Sequence, residues 1–157
     1  MKIVITGNIA SGKTTLIQWI KENPTDSCVI DADDVVHQLY KTVDLQSKLK
    51  KEFGPLVISE HNEVDRQFLG KLVFKDKAQL EKLNQITQEP IRKALELQIN
   101  ELYKTHALVF IEATLAVERS WLSFFDYSIC VVCPDNTRLK RLMIRNSLSK
   151  EEANLRI

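Results

Sequence analysis

The 157-residue chain has three cysteines, no long apolar run and no surplus of either charge. Each absence excludes something. Cys28, Cys130 and Cys133 are too few to frame a disulfide-stapled fold. Cys130-Val131-Val132-Cys133 has the spacing of a thiol pair, but it falls within Tyr127 to Cys133, which reads as a strand. An offset of three puts the two thiols on opposite faces of a strand. They then neither share a metal nor pair, and buried structural thiols are expected. Apolar runs such as Ala107 to Ile111 are far too short to span a membrane. The 22 Lys and Arg against 21 Asp and Glu leave a net charge of +1, which argues against a broad nucleic-acid surface and leaves room only for a local basic groove. The N-terminus enters a strand pattern directly, without the signature of a signal peptide. A cytoplasmic protein with no nucleic-acid or membrane partner is expected, with a monomer as the default state. No internal repeat or low-complexity tract is present, and the length fits one domain with a proper core.

Residues 7–14 carry the strongest signal. Gly7-Asn8-Ile9-Ala10-Ser11-Gly12-Lys13-Thr14 spells G-x-x-x-x-G-K-[ST], the phosphate-cradling P-loop. The run before it, Met1 to Thr6, is short, apolar and β-branched, as a buried strand should be. Thr14 to Glu22, including Thr15, has helical periodicity. The glycines let the loop curl so that backbone N–H groups face phosphate oxygens, and the following helix aims its positive end at the same place. Lys13 then reaches the β- and γ-phosphates, and the Thr14 hydroxyl ligates Mg²⁺. A chance glycine-rich turn is the alternative, and the strand before and helix after speak against it. ATP and Mg²⁺ are the expected ligands.

Further along, Asn23-Pro24 is a turn signal. A second strand, Ser27 to Ile30, delivers Asp31-Ala32-Asp33 at its end. Helical patterns follow over 34–40, 45–53 and 66–74, with a loop or hairpin over 56–65 and Asp65 placed to cap the third. A long helical pattern runs from Asp76 to about Lys104, and Pro90 is expected to kink it or start a new helix. A third strand, Leu108 to Ile111, carries Glu112 at its end, and the fourth stops at Cys133-Pro134. Asp135 or Asn136 then caps a basic helix through Arg138, Lys140, Arg141 and Arg145. Ser149-Lys150-Glu151-Glu152 matches a capping box. Alternating strands and helices predict an α/β protein with a parallel sheet covered on both faces. The expected layout is a core over 1–35 and 106–135, a helical acceptor-gripping insertion over about 36–105 and a lid over about 136–157. In such sheets the ligand lies beyond the carboxyl ends of the strands, where the P-loop, Asp31, Asp33 and Glu112 all fall.

A P-loop alone does not separate kinases from switches or motors. The base-reading N-K-x-D of a small GTPase is absent, and no Asp has Gly three residues on. A phosphotransferase needs an acceptor-side base and cations over the phosphates. Asp33 is the best base, provided the first two strands are near neighbours; otherwise it is a helix N-cap. Asp31 would orient it or hold a Mg²⁺-bound water. Arg141 and Arg145, four apart on one helix face, would neutralise charge on the transferring group; a solvated basic face is the alternative. Glu112, at the end of a buried strand, needs a cation or donors, and contact with a Mg²⁺-bound water supplies one. His37 would touch the acceptor or sit as an ordinary surface or core histidine.

With these residues in hand, the chain resembles the dephospho-coenzyme A kinase family over nearly its whole length. Val29-Ile30-Asp31-Ala32-Asp33-Asp34-Val35-Val36-His37 is close to the family's "VIDAD…H". Phe53-Gly54, then Val64-Asp65-Arg66-Gln67-Phe68-Leu69-Gly70-Lys71-Leu72-Val73-Phe74, is similar to its "FG … LDR..LG..VF". Arg141 to Arg145 and Leu148 to Ile157 look like its lid. The resemblance implies γ-phosphoryl transfer from ATP to the ribose 3′-hydroxyl of dephospho-CoA. It implies Asp33 as base, Arg145 as lid arginine, and Asp65 and Arg66 beside Asp31 and His37 among the acceptor-binding residues. In the family a fifth strand and part of the adenine pocket come after the position of Ile157, so the resemblance implies a sheet here without its C-terminal edge strand. Three departures stand out: Thr87-Gln88-Glu89-Pro90 where the family has His-Pro, Glu112 to Glu118 where it has "D-x-P-L-L-x-E", and Arg138 where glutamine is common. Another small P-loop kinase, acting on a nucleoside, nucleotide or sugar, and a non-catalytic nucleotide-binding protein are the competing readings.

Overall fold

Four short β-branched runs form the strands of the computed structural model, which describes residues 1–23, 25–118 and 120–157. They are β1 (Lys2–Thr6), β2 (Ser27–Asp31), β3 (Leu108–Glu112) and β4 (Tyr127–Cys130), all parallel, in the order β2-β3-β1-β4. The expected α/β architecture with a parallel sheet is therefore present. Val4, Ile5, Val109 and Ile111 are fully buried in the two central strands. Such burial is what parallel sheets require, because crossover helices cover their faces. The helix α1 (Lys13–Glu22) sets Ile17 and Ile20 against Ile5.

The described residues divide into two compact units, Met1–Asp31 with Glu101–Ile157, and Ala32–Asn100. The first holds the sheet, α1, α6 (Asp135–Asn146) and α7 (Lys150–Asn154). The stretch expected to form a lid thus belongs to the unit that carries the sheet. The second unit holds α2 (Ala32–Leu39), α3 (Val43–Phe53), α4 (Arg66–Val73) and most of α5 (Lys77–Leu102). Its core is Leu45, Leu49, Val57, Leu69 and Val73. The segment after α3 is a hairpin: Ile58 bridges Val64 antiparallel, and the Ser59 N–H donates to the Glu63 carbonyl at 2.8 Å.

Local capping signals are realised where they were read, with one exception. The Asp65 carboxylate accepts from the Phe68 N–H at 2.8 Å, and Ser149 and Glu152 complete a reciprocal capping box. At α6, however, the N-cap is Pro134, and Asp135 is the first helical residue. Its carboxylate accepts from Arg138 at 2.7 Å instead of capping. The Asn23-Pro24 turn lies partly outside the described residues; Asn23 ends α1.

Packing settles two further points. Of the two alternatives at Pro90, a new helix is excluded, since α5 runs through it for 26 residues. Proline inside a helix costs about 3 kcal/mol because the carbonyl four residues back loses its donor. The buried stripe Thr87, Ile91, Leu95 and Ile99 continues across the proline at four-residue spacing. Burying Ile and Leu side chains gains about 1.5–3 kcal/mol each, enough to hold the helix together. The cysteines are also not buried: Cys130 is exposed, and Cys28 and Cys133 are half-buried. β4 stops at Cys130 and pairs only with β1, so all its residues are exposed at the edge of the described sheet. Among the described residues no helix is long and apolar enough to cross a membrane.

Candidate phosphate-binding site

The turn from β1 into α1 takes backbone conformations that explain its glycines. Gly7 has φ +139° and Gly12 has φ +112°, both in the region side chains rarely enter. A Cβ on Gly7 would stand 2.3 Å from the carbonyl oxygen of Val131, so only glycine lets the chain just past β4 close in. Gly12 is the N-cap of α1, and the first-turn N–H groups of a helix have no acceptor within it.

Lys13 opens α1 and is 9% exposed. Its ammonium curls back over the loop, donating to the carbonyls of Gly7 at 2.6 Å and Asn8 at 3.1 Å. Burial pushes its pKa below the usual lysine value; the Glu112 carboxylate pulls it up, and Arg145 adds to the lowering. Ser11 is buried, and its hydroxyl has no hydrogen-bond partner among the described residues. A buried orphan hydroxyl in a loop of this shape fits a cradle awaiting anionic oxygens.

α6 braces the same loop. Arg141 Nη1 donates to the carbonyls of Ala10 at 3.2 Å and Ser11 at 3.1 Å. Arg138, only 4% exposed, donates from Nε to the carbonyl of Ile9 at 3.0 Å. Residues 9–15 line a cavity of about 730 Å³ together with Glu112, Thr114, Arg141, Ile144 and Arg145. That volume suits a small-molecule ligand. Thr14 and Glu112, which both line the cavity, bring a hydroxyl and a carboxylate, both hard oxygen donors. They fit Mg²⁺, which takes one or two protein oxygens and completes its shell with water and substrate phosphates.

Comparison with known proteins decides the lineage. The sequence model described as "Dephospho-CoA kinase" matches residues 1–157. Among curated proteins, the dephospho-CoA kinase of Streptococcus mutans is 35% identical over 156 residues, covering 99% of this chain and 78% of that protein. The chain belongs to the dephospho-CoA kinase family. The dephospho-CoA kinase of Dehalococcoides mccartyi is 36% identical over 160 residues, covering all of this chain and 79% of that one. Of solved structures, TT1252 from Thermus thermophilus superposes with a TM-score of 0.80 at 31% identity, over 99% of this chain and 78% of that one. Dephospho-CoA kinase from Campylobacter jejuni gives 0.63 at 28%, over 99% and 77%. A kinase family implies use of ATP and a small-molecule substrate.

For a dephospho-CoA kinase family member, the expected site residues fall into two groups. The P-loop, Glu112, Arg141 and Arg145 share the sheet-bearing unit, and all but Gly7 and Asn8 line its large cavity. Asp31 ends β2 in register with Glu112. β2 is not the neighbour of β1, because β3 inserts between them. The first two strands are thus near neighbours but not adjacent, and Glu112, not Asp31, ends the strand next to β1. Asp33, His37, Asp65 and Arg66 belong to the other unit. There Arg66 Nη1 and His37 Nε2 hydrogen-bond, and the guanidinium stands 6.0 Å from the Tyr40 ring centroid. Asp33 is not a cap but lies within the first turn of α2. Arg138, one charge of a basic helix by sequence, is buried in the structure. Its position three residues before Arg141, one turn along the same helix, was the one available signal.

Proposed function

We propose that this chain transfers the γ-phosphoryl group of ATP to the ribose 3′-hydroxyl of dephospho-CoA, the last step of coenzyme A synthesis. What supports the reading most is a P-loop with a buried lysine and an orphan buried hydroxyl, set in a cavity of nucleotide size, within a chain that belongs to the family along its whole length.

In this reading the loop amides of residues 7–15 hold the triphosphate. Lys13 exchanges its carbonyl contacts for β- and γ-phosphate oxygens, and the anions restore the proton affinity that burial takes away. Arg145, on the cavity wall, meets charge that develops on the transferring group, and Arg141 holds the loop while facing the same space. Thr14 and Glu112 hold Mg²⁺, directly or through its water. Mg²⁺, when bound, neutralises phosphate charge and aligns the β- and γ-oxygens. Asp33 takes the proton of the attacking 3′-hydroxyl. Asp31 orients that carboxylate, and His37, Asp65 and Arg66 engage the acceptor. The enzyme works as a cytoplasmic monomer on a small molecule, in keeping with a net charge of +1.

The test is ADP release measured with dephospho-CoA and, in parallel, with nucleosides, nucleoside monophosphates and sugars. ADP formed with dephospho-CoA alone is the expected result. Preferential turnover of another acceptor would make the protein a different P-loop kinase. ATP binding with no ADP from any acceptor would make it a nucleotide-binding protein without catalysis.

A further inference from the structure

An N–H cradle works only if each of its peptide planes faces the right way. A peptide carries its C=O and the next residue's N–H on opposite edges. To turn an N–H into the cavity, the preceding carbonyl must therefore point out, and something must receive it. Carbonyls that face outward without a partner cost stability and leave the plane free to rotate.

In this loop three consecutive carbonyls point to α6. Arg141 receives Ala10 and Ser11, and Arg138 receives Ile9. The planes differ in what they carry inward. The plane of the Ala10 carbonyl carries the Ser11 N–H, which closes a turn on the Asn8 carbonyl at 3.2 Å. The plane of the Ile9 carbonyl carries the Ala10 N–H. Ile9 and Ala10 both line the large cavity, whereas Arg138 does not. Arg138 therefore touches the loop from the side away from the phosphates.

Arg138 is equipped for this. Its Nη1 donates to Asp135 at 2.7 Å, Nε to Ile9 at 3.0 Å, and Nη2 to the Ile157 carbonyl at 3.3 Å. A guanidinium fork anchored on one side by a carboxylate presents its Nε in a fixed direction. Burial shields the contact from competing water. We propose that Arg138, oriented by Asp135, is a positioning residue for nucleotide binding, which holds the Ile9–Ala10 peptide so that its N–H faces the triphosphate. This rests on the reading of the loop as an ATP cradle.

The test measures ATP affinity by calorimetric titration, KM for ATP and for dephospho-CoA, and the melting temperature without nucleotide. It uses the full chain and the Arg138→Met, Arg138→Lys and Asp135→Ala variants. Loss of one charge-assisted hydrogen bond predicts about a tenfold weaker Kd and higher KM for ATP in Arg138→Met. The KM for dephospho-CoA should stay unchanged. Arg138→Lys keeps the charge but lacks the planar fork that serves three acceptors at once, and should fall between that variant and the wild type. Asp135→Ala removes only the exposed partner, so it tests the same contact even if Arg138→Met fails to fold, and it should weaken ATP binding of the folded protein whether or not the melting temperature falls. A lowered melting temperature with unchanged ATP affinity in the folded variants would overturn the proposal and leave Arg138 a packing residue. A wild-type chain that does not bind ATP would overturn the cradle reading and this proposal with it.

Discussion

Glu112 is paired in register with Asp31 on one side and with Ile5 on the other. Its carboxylate thus ends the strand that lies between the two acidic and phosphate-binding turns, on the wall of the cavity that Thr14 also lines. Glu112→Gln should shift the Mg²⁺ dependence of turnover to higher concentration by about 10–100-fold, the usual cost of losing a partner in a metal's surroundings. A Mg²⁺ titration that superposes on the wild type would remove Glu112 from the metal's reach.

Gly7→Ala would drive a methyl group to 2.3 Å from the Val131 carbonyl, at a φ of +139°. Neither the backbone oxygen nor the φ angle can give cheaply. Strain of about 1–3 kcal/mol is expected, read as a lower denaturation midpoint, together with weaker ATP binding. Unchanged stability would mean that the loop relaxes without cost.

Lys13→Met should abolish turnover and, without nucleotide, stabilise the fold. Burial is the main cause lowering the Lys13 pKa, so the folded state binds the proton less tightly than the unfolded chain, whose value is near 10.5. Between the lowered value and 10.5 the unfolded state carries more protons, and the wild type gains stability as pH rises. The advantage of Lys13→Met should therefore shrink with rising pH through that window. Parallel stability curves for the two proteins would contradict a buried, charge-disfavoured lysine.

Asp33→Asn should lower kcat by roughly 10²–10⁴-fold if Asp33 is the general base. Its place in the first turn of α2 offers a purely structural role through the helix dipole, worth about 0.3–1 kcal/mol. Unaltered kcat with a lower melting temperature would assign it that role.

Asp65 caps α4 and is also proposed to engage the acceptor. Asp65→Ala should cost about 1 kcal/mol of stability through the lost cap. Asp65→Asn keeps the cap and should leave the melting temperature alone while raising the KM for dephospho-CoA. If Asn also leaves that KM untouched, Asp65 is a cap only.

Much of the site was legible in the chain because its signals are short-range. The glycines, Lys13 and Thr14 act within one turn between a strand and a helix, and their spacing encodes the geometry. Asp65 and Ser149 bind N–H groups three residues away, so their caps were readable too. Arg138 was not, because its partner Ile9 lies 129 residues distant. The unbroken helix at Pro90 and the exposure of Cys130 were not legible for the same kind of reason: burial of a helix stripe, and the edge position of β4, are properties of packing.

The residues alone specified four apolar strands, the phosphate loop and the capped starts of α4 and α7, since each depends on neighbours a few positions apart. Tertiary structure alone decided that β3 enters between β1 and β2, that Glu112 borders the loop's strand, and that two arginines of α6 receive the loop's outward carbonyls. Those choices rest on pairing between distant segments, where many orders satisfy the same local pattern and only the burial of a common core selects one.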